Sequence, residues 1–515
     1  MRRAMFGVGL LTLCVPCVGA AESLYDAILL AYQTNPALRA QRAQLQATDE
    51  DLVQARAGYG PQVSVTGQGA YQGTRVQEPG SIFSRPADVT YQAGNGTVDL
   101  SVVQPLFTNG SVHAQVGAAT AEVLAGREGL RQAEAQLIVN VITAYEDVRR
   151  DRETVRILQD EIANLTGELD ETRAKGQMGV LTRTDIAEAE ARLLSARAQL
   201  NLAQGRLEAS GAEYLNAVGQ NPGALEPEPD LAGLPTSLDQ ALDTAEANNP
   251  QLLSAIQSER AAEKKVAAAK AALGPTVSLR VDANASPVEP YYESQYARGV
   301  TAALTFNQPI FTAGLTSSRI RQAIDQDRQA MLDIETQRRG VVQQTTQAWA
   351  QLASTRQALS IETRQVEVER ESVTGNQVEE RVGQRTTIEL LNAELELADS
   401  RVNLVQGRHD EYVARATLLA SMGLLEARLL VPGAGVYDPS KHLKAVIGKG
   451  AAPWEGAVGA LDGLGAGSGR LPPMSPEGAG SERPTGQHVG LPPVPDAPIE
   501  PIAGPGASAP AGDPN

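Results

Sequence analysis

An internal repeat constrains the fold of this chain more strongly than any other feature. The segment Asn-Pro-Ala-Leu at 35–38 returns as Asn-Pro-Gln-Leu at 249–252, an offset of 214 residues. Gln-Pro-Leu-Phe at 104–107 returns as Gln-Pro-Ile-Phe at 308–311, and this offset of 204 holds as far as Gly219 and Gly423. A constant offset over such a length is typical of duplication. We therefore predict two copies of one unit, residues 21–225 and 226–432, with a loop where the offset changes.

Proline-free segments predict the long helices of each copy. No proline occurs from Leu106 to Asn221 or from Ile310 to Val431, and Ala, Gln, Glu, Leu and Arg dominate both segments. Such residues favour helix, and interior proline would break it. In each copy the pattern predicts a helix before the strands, then a long helix that turns at a far tip and a shorter one that returns.

Between these helices the apolar pattern changes to a period of two. Val277, Leu279 and Val281 alternate with polar residues, and Val300 and Leu304 repeat the pattern on the return. This alternation predicts a β-hairpin with one apolar face at about residues 275–309, and a weaker version at about 61–105. Four prolines mark the joints between strands and helices: Pro61, Pro105, Pro275 and Pro309.

The predicted strands can close into a barrel only in an assembly of several chains. About 9 to 11 alternating residues can cross a bilayer as a tilted strand. Four strands per chain cannot close into a barrel, and open strand edges are not tolerated in lipid. A dimer would only reach the size of the smallest barrels and leave little lumen. We therefore predict an α+β membrane protein: a long helical coiled-coil barrel joined to a trimeric 12-stranded β-barrel, with four strands per chain.

The two ends of the chain have distinct compositions. Arg2 and Arg3 precede an apolar run at 6–18 and a Val-Gly-Ala site, which predicts a signal peptide over residues 1–20. Both cysteines, Cys14 and Cys17, lie inside it. A lipoprotein is the less favoured alternative, because bulky or rigid residues precede the cysteines. Residues 433–515 are rich in Gly, Pro and Ala, which predicts a disordered periplasmic tail.

Composition also excludes several classes of function. The chain has 61 acidic and 44 basic residues and a net charge of −17, which argues against nucleic acid as a partner. The four histidines share no metal-ligand spacing, and no nucleophile turn or glycine-rich phosphate loop occurs. We predict no metal, no cofactor and no enzymatic activity. The histidines are His113, His409, His442 and His488.

The repeated motifs, the hairpins between prolines and the segment Gly-Gln-Arg-Thr-Thr-Ile-Glu-Leu-Leu at 383–391 together resemble the TolC family of outer-membrane channel-tunnels. The resemblance covers Glu22 to about Leu430. It implies a homotrimer in the outer membrane and its lipid, with a helical extension in the periplasm. It also implies a role in type I secretion or efflux, with a periplasmic adaptor protein and an inner-membrane ABC or proton-driven transporter as partners. The cargo, secreted protein or drugs, stays open.

Two tips of the predicted helical hairpins hold the candidate functional residues. Asp185 and Glu389 are equivalent in the repeat, and each follows a threonine by three positions, which by itself predicts only a helix capping box. Arg385 has no equivalent in copy one, where Leu181 stands. The resemblance implies that Asp185 and Arg385 help to hold the periplasmic entrance closed. Glu380 stands where the family has a gate tyrosine, so this gate is expected to differ, with Arg385 also meeting Glu380.

Glu389 and Asn392 match two aspartate rings of the family at the tunnel entrance. Only one of these rings would carry charge here, so the negative potential that favours cations should be present but weaker. The alternative for Glu389 is an ordinary solvated helix face.

The competing hypothesis for the whole chain is a soluble periplasmic coiled-coil adaptor or scaffold. Such proteins also have long helical hairpins, but they do not need a duplicated strand hairpin with one apolar face. Membrane fractionation separates the two hypotheses.

Overall fold

The computed structural model describes residues 21–80, 82–83, 85–287, 296–430, 435–467 and 469–470. The predicted signal peptide, 1–20, lies outside the described residues, as does the part of the predicted tail beyond residue 470.

The same series of elements occurs twice along the described chain. The first series is α1 (Leu24–Thr34), α2 (Pro36–Ala57), β1 (Gln62–Glu78), β2 (Ala87–Phe107), α3 (Ser111–Gln177) and α4 (Arg183–Val218). The second is α5 (Leu238–Asn248), α6 (Pro250–Ala271), β3 (Thr276–Pro287), β4 (Tyr296–Asn307), α7 (Leu315–Arg381) and α8 (Thr387–Ser421). Helices α3 and α7 have 67 residues each, and at ~1.5 Å per residue each is about 100 Å long.

The repeated Asn-Pro motif is the junction between two helices. Asn35 ends α1, and its side-chain oxygen accepts hydrogen bonds from the backbone N–H groups of Ala37 and Leu38 at 2.9 and 3.2 Å. Pro36 follows at the first helical position, where its missing N–H leaves no bond unmade. Asn249 and Pro250 form the same junction between α5 and α6. Each motif therefore stops one helix and starts the next.

One antiparallel sheet joins the two copies, with the strand order β1-β2-β3-β4. The register places Val63, Val102 and Val281 in one row across three strands. This face is exposed in the single chain, since 63% of Val63 and 77% of Val300 are accessible. An apolar outer face is what a sheet surrounded by lipid requires. All four strands have at least 12 residues, enough to cross a bilayer.

Three of the four joint prolines lie outside the strands, and one lies inside a strand. Pro61 and Pro275 lie directly before β1 and β3, and Pro309 lies between β4 and α7. Pro105 instead lies inside the end of β2, where the pairing with β3 shifts register between Pro105 and Phe107. Proline lacks the N–H that a ladder needs, so a register shift is a favourable place for it.

The main hydrophobic core lies where α1, α3 and α4 meet α5 and α8. Tyr145 is fully buried there, and its hydroxyl donates to the backbone oxygens of Glu22 and Glu226 at 2.9 and 2.8 Å. Tyr412 of α8 donates in the same way to Pro229. These buried phenols attach the segment before α1 and the connection between the two copies to the long helices.

The segment from 435 to 467 is ordered, contrary to the predicted disordered tail. This C-terminal strap contains α10 (Ser440–Val446) and α11 (Glu455–Gly463) and runs along α2 and β2. Arg56 donates to Glu455 at 2.7 Å, and the Trp454 indole donates to Gln104 at 2.9 Å. Composition misled because long-range contacts hold the strap in place, both these polar bonds and the packing of a few apolar residues such as Val458 against Tyr59. A short helix, α9 (Ala427–Leu430), precedes it.

Asp462 of the strap caps the long helix α3. Its carboxylate accepts hydrogen bonds from the N–H groups of Thr108, Gly110 and His113 at 2.6, 3.0 and 3.2 Å, and it is 1% exposed. The N-cap residue of α3 is Gly110, which has no side chain for this role. A buried carboxylate at a helix N-terminus satisfies free N–H groups and matches the helix dipole. The strap thus adds a buried carboxylate cap to the bond that the Thr108 hydroxyl accepts from the Val112 N–H at 3.2 Å.

We predict that Asp462→Ala lowers the free energy of unfolding by about 1–2 kcal/mol, because the N–H groups of Gly110 and His113 at the start of α3 lose their carboxylate cap. Thermal unfolding of the purified protein measures the change. The control is Asp333→Ala, which removes an exposed aspartate from α7. Equal melting temperatures for the two variants would contradict this account of the strap.

Candidate functional site at the helix tips

Two short turns of the same geometry end the long helices. We call residues 175–185 tip one, between α3 and α4, and residues 379–389 tip two, between α7 and α8. Gly179 and Gly383 both have φ of 76°, a left-handed conformation that residues with a side chain rarely adopt. Each turn therefore reverses the chain at a glycine, and the returning helix begins at a threonine cap.

Both caps are capping boxes. The Thr182 N–H donates to the Asp185 carboxylate at 2.8 Å, and the Asp185 N–H donates back to the Thr182 hydroxyl at 3.3 Å. Thr386 and Glu389 make the same pair of bonds at 2.9 and 3.3 Å. The backbone hydrogen bond from each threonine lowers the pKa of its acid, Asp185 or Glu389. Both acids are therefore ionised at neutral pH, and the capping interpretation of these residues accounts for their positions.

Arg385 is held within tip two. Its guanidinium lies 3.0 Å from the Glu379 carboxylate and 3.5 Å from that of Glu389. Within the described residues of one chain it forms no bond with Asp185, and it meets Glu379 where Glu380 was expected. The contact between Asp185 and Arg385 stays a prediction about neighbouring hairpins. All three groups of tip two are about half exposed, so Arg385 is available to another partner.

Glu380 instead joins the two tips. Its carboxylate accepts a hydrogen bond from the Lys175 ammonium at 2.6 Å and another from the Thr387 hydroxyl at 3.3 Å. The Glu380 side chain is 13% exposed, and this bond is the first cause of the raised pKa of Lys175. Lys175 also lies 3.0 Å from Glu171, one turn back on α3. This bridge is the polar link between tip one and tip two.

A charge difference between the two copies of the repeat is a sequence signal for this bridge. Position 175 of copy one is equivalent to position 379 of copy two, and the two residues are Lys175 and Glu379. A reversal of charge at equivalent positions of a repeat indicates a contact made by only one copy. The signal was missed because the two sides of the bridge lie 205 residues apart in the chain.

Glu389 and Asn392 lie one turn apart at the start of α8. Residues three apart in a helix share a face, so the two side chains project from the same side of tip two. Asn392 is exposed. On this face each chain presents one carboxylate and one amide. The entrance ring that these residues would form stays a prediction.

The described residues offer no other recognisable centre of chemistry. They contain no cluster of three or more His, Cys, Asp and Glu side chains arranged to hold a metal ion. None of the described helices is both long enough and apolar enough to span a membrane.

A family model described as "Outer membrane efflux protein" matches residues 27–220 and 241–424, which include most of both copies. The outer membrane efflux protein BepC of Brucella suis is 32% identical over 431 residues, covering 83% of this chain and 91% of that protein.

Two further relatives are more distant. The outer membrane protein TolC of Escherichia coli is 23% identical over 80% of this chain and 84% of its own length. The alkaline protease secretion protein AprF of Pseudomonas aeruginosa is 25% identical over 64% of this chain and 69% of its own length. Among solved structures, the CmeC outer membrane channel of Campylobacter jejuni superimposes with a TM-score of 0.69 at 14% identity, covering 82% of this chain and 88% of that one. This last similarity concerns the fold alone.

We predict that Glu380→Gln loosens the two tips, because the Lys175 ammonium loses its charged partner on the other hairpin. The expected cost is about 1 kcal/mol, since the pair is only partly shielded from water, and this corresponds to roughly fivefold faster amide exchange at the tips. Hydrogen–deuterium exchange of peptides covering 170–190 measures the effect.

The matched control is Glu379→Gln, because the neighbouring glutamate contacts Arg385 of its own tip and not Lys175. Faster exchange in tip one for both variants alike would contradict a specific role for the Lys175–Glu380 bridge.

Proposed function

The chain belongs to the outer membrane efflux protein family, and from this premise we propose that it is the exit duct of a tripartite export system. Family membership confirms the resemblance to the TolC family. It places the protein in the outer membrane, with its helices in the periplasm. The family consists of transport proteins and not enzymes.

The observation that carries the proposal is the sheet of four strands with an apolar exposed face, joined to two helical hairpins. Its two edges, β1 and β4, have no strand partner within the described chain. Three chains would supply twelve strands and close both edges around a lumen. The helices of three chains would continue the lumen as a tube of about 100 Å into the periplasm.

We propose that the duct is passive. An inner-membrane transporter, driven by ATP or by protons, would supply the energy and select the cargo, and a periplasmic adaptor would connect it to the tips. Tip one exposes Met178 and Val180, and tip two exposes Val382, which gives both tips an apolar surface for such a contact. The names of the relatives point to efflux in one case and protease secretion in another. Both cargo classes are compatible with one duct.

The soluble adaptor or scaffold is the weaker alternative. It would leave the apolar side chains of Val63, Val300 and Phe306 in water without a function.

We further propose that the tips form the gate. Lys175 and Glu380 hold the two hairpins of one chain together, and Asp185 and Arg385 would connect hairpins of neighbouring chains. Glu389 at the entrance would attract cations, with Asn392 as its uncharged neighbour. Opening then requires these contacts to break when the partner docks.

Planar bilayer recording tests both the duct and the gate. We predict that the purified protein forms channels of low conductance and that Asp185→Ala with Arg385→Ala raises the conductance several-fold, because the closed entrance loses its ion pairs. The matched control replaces Arg173 and Glu190 by alanine, since these form an exposed ion pair of 3.8 Å between α3 and α4.

The absence of channels for every variant would contradict the duct. Channels of equal conductance in all three proteins would leave the duct standing and would contradict the assignment of Asp185 and Arg385.

A further inference from the structure

The two helical hairpins of one chain meet along α3 and α8, and acidic side chains are buried in this seam. We define the seam by residues 158–172 of α3 and 391–402 of α8. Glu161 and Glu394 are only 6% and 7% exposed. One carboxylate oxygen each of Glu161, Glu168 and Glu394 lacks a hydrogen-bond donor among the described residues. Ionised carboxylates rarely occupy such an environment without a partner.

Burial and repulsion from neighbouring acids make Glu161 and Glu168 hold their protons. Burial, with the nearby Glu394, raises the pKa of Glu161 to about 7. Burial, together with a hydrogen bond and repulsion from Glu394, raises the pKa of Glu168 to about 9. One proton shared between Glu168 and Glu394 forms a hydrogen bond across the seam, whereas its loss places two negative charges face to face.

Few positive charges surround the cluster to offset its negative charge. On α3, Glu171 adds to the repulsion at Glu168. On α8, Asp399 repels Glu161, and Arg401 is the cation that opposes this effect.

Helix α7 brings a neutral donor and one further acid. Gln377 donates to Glu394 at 3.3 Å, and Glu369 faces Asp399. Helix α4 contributes apolar contacts near Leu391, through Ala189 and Leu193. Acidic groups therefore outnumber basic groups around the cluster.

The cluster lies on α3 and α8 close to the tips, so a movement of these helices at the cluster also moves the tips. Leu391 of α8 packs against Leu165 and Leu169 of α3 beside the acids. The Lys175–Glu380 bridge follows at the ends of α3 and α7. A force that separates α3 from α8 at the cluster therefore acts directly on the contacts that join the tips.

We propose that Glu161, Glu168 and Glu394 make the seam a proton-sensitive lock, which holds the two hairpins together while Glu161 and Glu168 carry protons and drives them apart when these two ionise beside Glu394. The lock is a property of the single chain. Only its consequence, a wider entrance, rests on the proposed function.

The direction of the pH effect follows from the raised pKa values of Glu161 and Glu168. The folded seam binds protons more tightly than the separated hairpins do, so its stabilisation is complete below the ordinary glutamate pKa of 4.5. It is lost as the pH rises through about 7 and then about 9. Acid therefore closes the seam and alkali opens it.

Hydrogen–deuterium exchange of the full-length protein tests the lock without reference to transport. Peptides from the seam are compared with peptides from 200–215 of α4, which removes the intrinsic effect of pH on exchange. We expect relative exchange in the seam to rise at least fivefold from pH 6 to pH 9. The variant with Glu161→Gln, Glu168→Gln and Glu394→Gln should remain slow at both values.

The matched control replaces three exposed acids of the same hairpins: Asp170→Asn, Glu190→Gln and Glu396→Gln. It should keep the full pH response. His409 also contacts Asp147 between α3 and α8. It is unchanged in all variants, so it does not account for a difference in pH response between them. If the triple variant does not fold, the single variant Glu394→Gln takes its place in the test. It should reduce the pH response by half or more.

A flat response in the unmodified protein, or a full response in the triple variant, would overturn the lock. Bilayer conductance, recorded on the same proteins, separates this result from the proposed function. A seam that responds to pH while conductance stays constant supports the lock and counts against the gate.

Discussion

The backbone groups along the free edges of β1 and β4 are the constraint on which the rest of the structure depends. Each unpaired N–H or C=O group would cost several kcal/mol in lipid, and a sheet of four strands cannot satisfy its own edges by closing. For the duct that we propose, association with other chains is therefore a requirement of the fold. Since each strand pair continues into a helical hairpin, closing the strands into a barrel also arranges the hairpins around one axis.

Duplication accounts for the equal dimensions of the two halves, and divergence between the copies gives their two ends different contacts. At the base, Asp462 caps α3 and ties the strap to copy one, whereas the N-cap of α7, Gly314, has no side-chain bond. At the tips, Lys175 stands where copy two has Glu379, which gives the hairpins complementary charges. The hairpins are thus alike in geometry but different in their attachments.

The fold was largely predictable because its signals are local. Proline-free segments, alternating strands and threonine caps act over a few residues, and the observed elements lie where these signals placed them. The sequence could not reveal contacts that tertiary packing creates. The strap looked disordered because its composition is poor in large apolar residues, although Asp462 bonds to Thr108, 354 positions away. Glu161 and Glu394 resemble ordinary surface residues of helices in the sequence, and tertiary packing buries them where α3 meets α8.

The most direct test of this account is the number of chains in the assembly. Native mass spectrometry of the protein, extracted from outer membranes in detergent, measures it without assuming a cargo or a partner. The account predicts a complex of three chains that persists after removal of lipid, because three sheets are needed to close the barrel. A monomer or dimer as the main species, or recovery of the protein from the soluble periplasm, would contradict it.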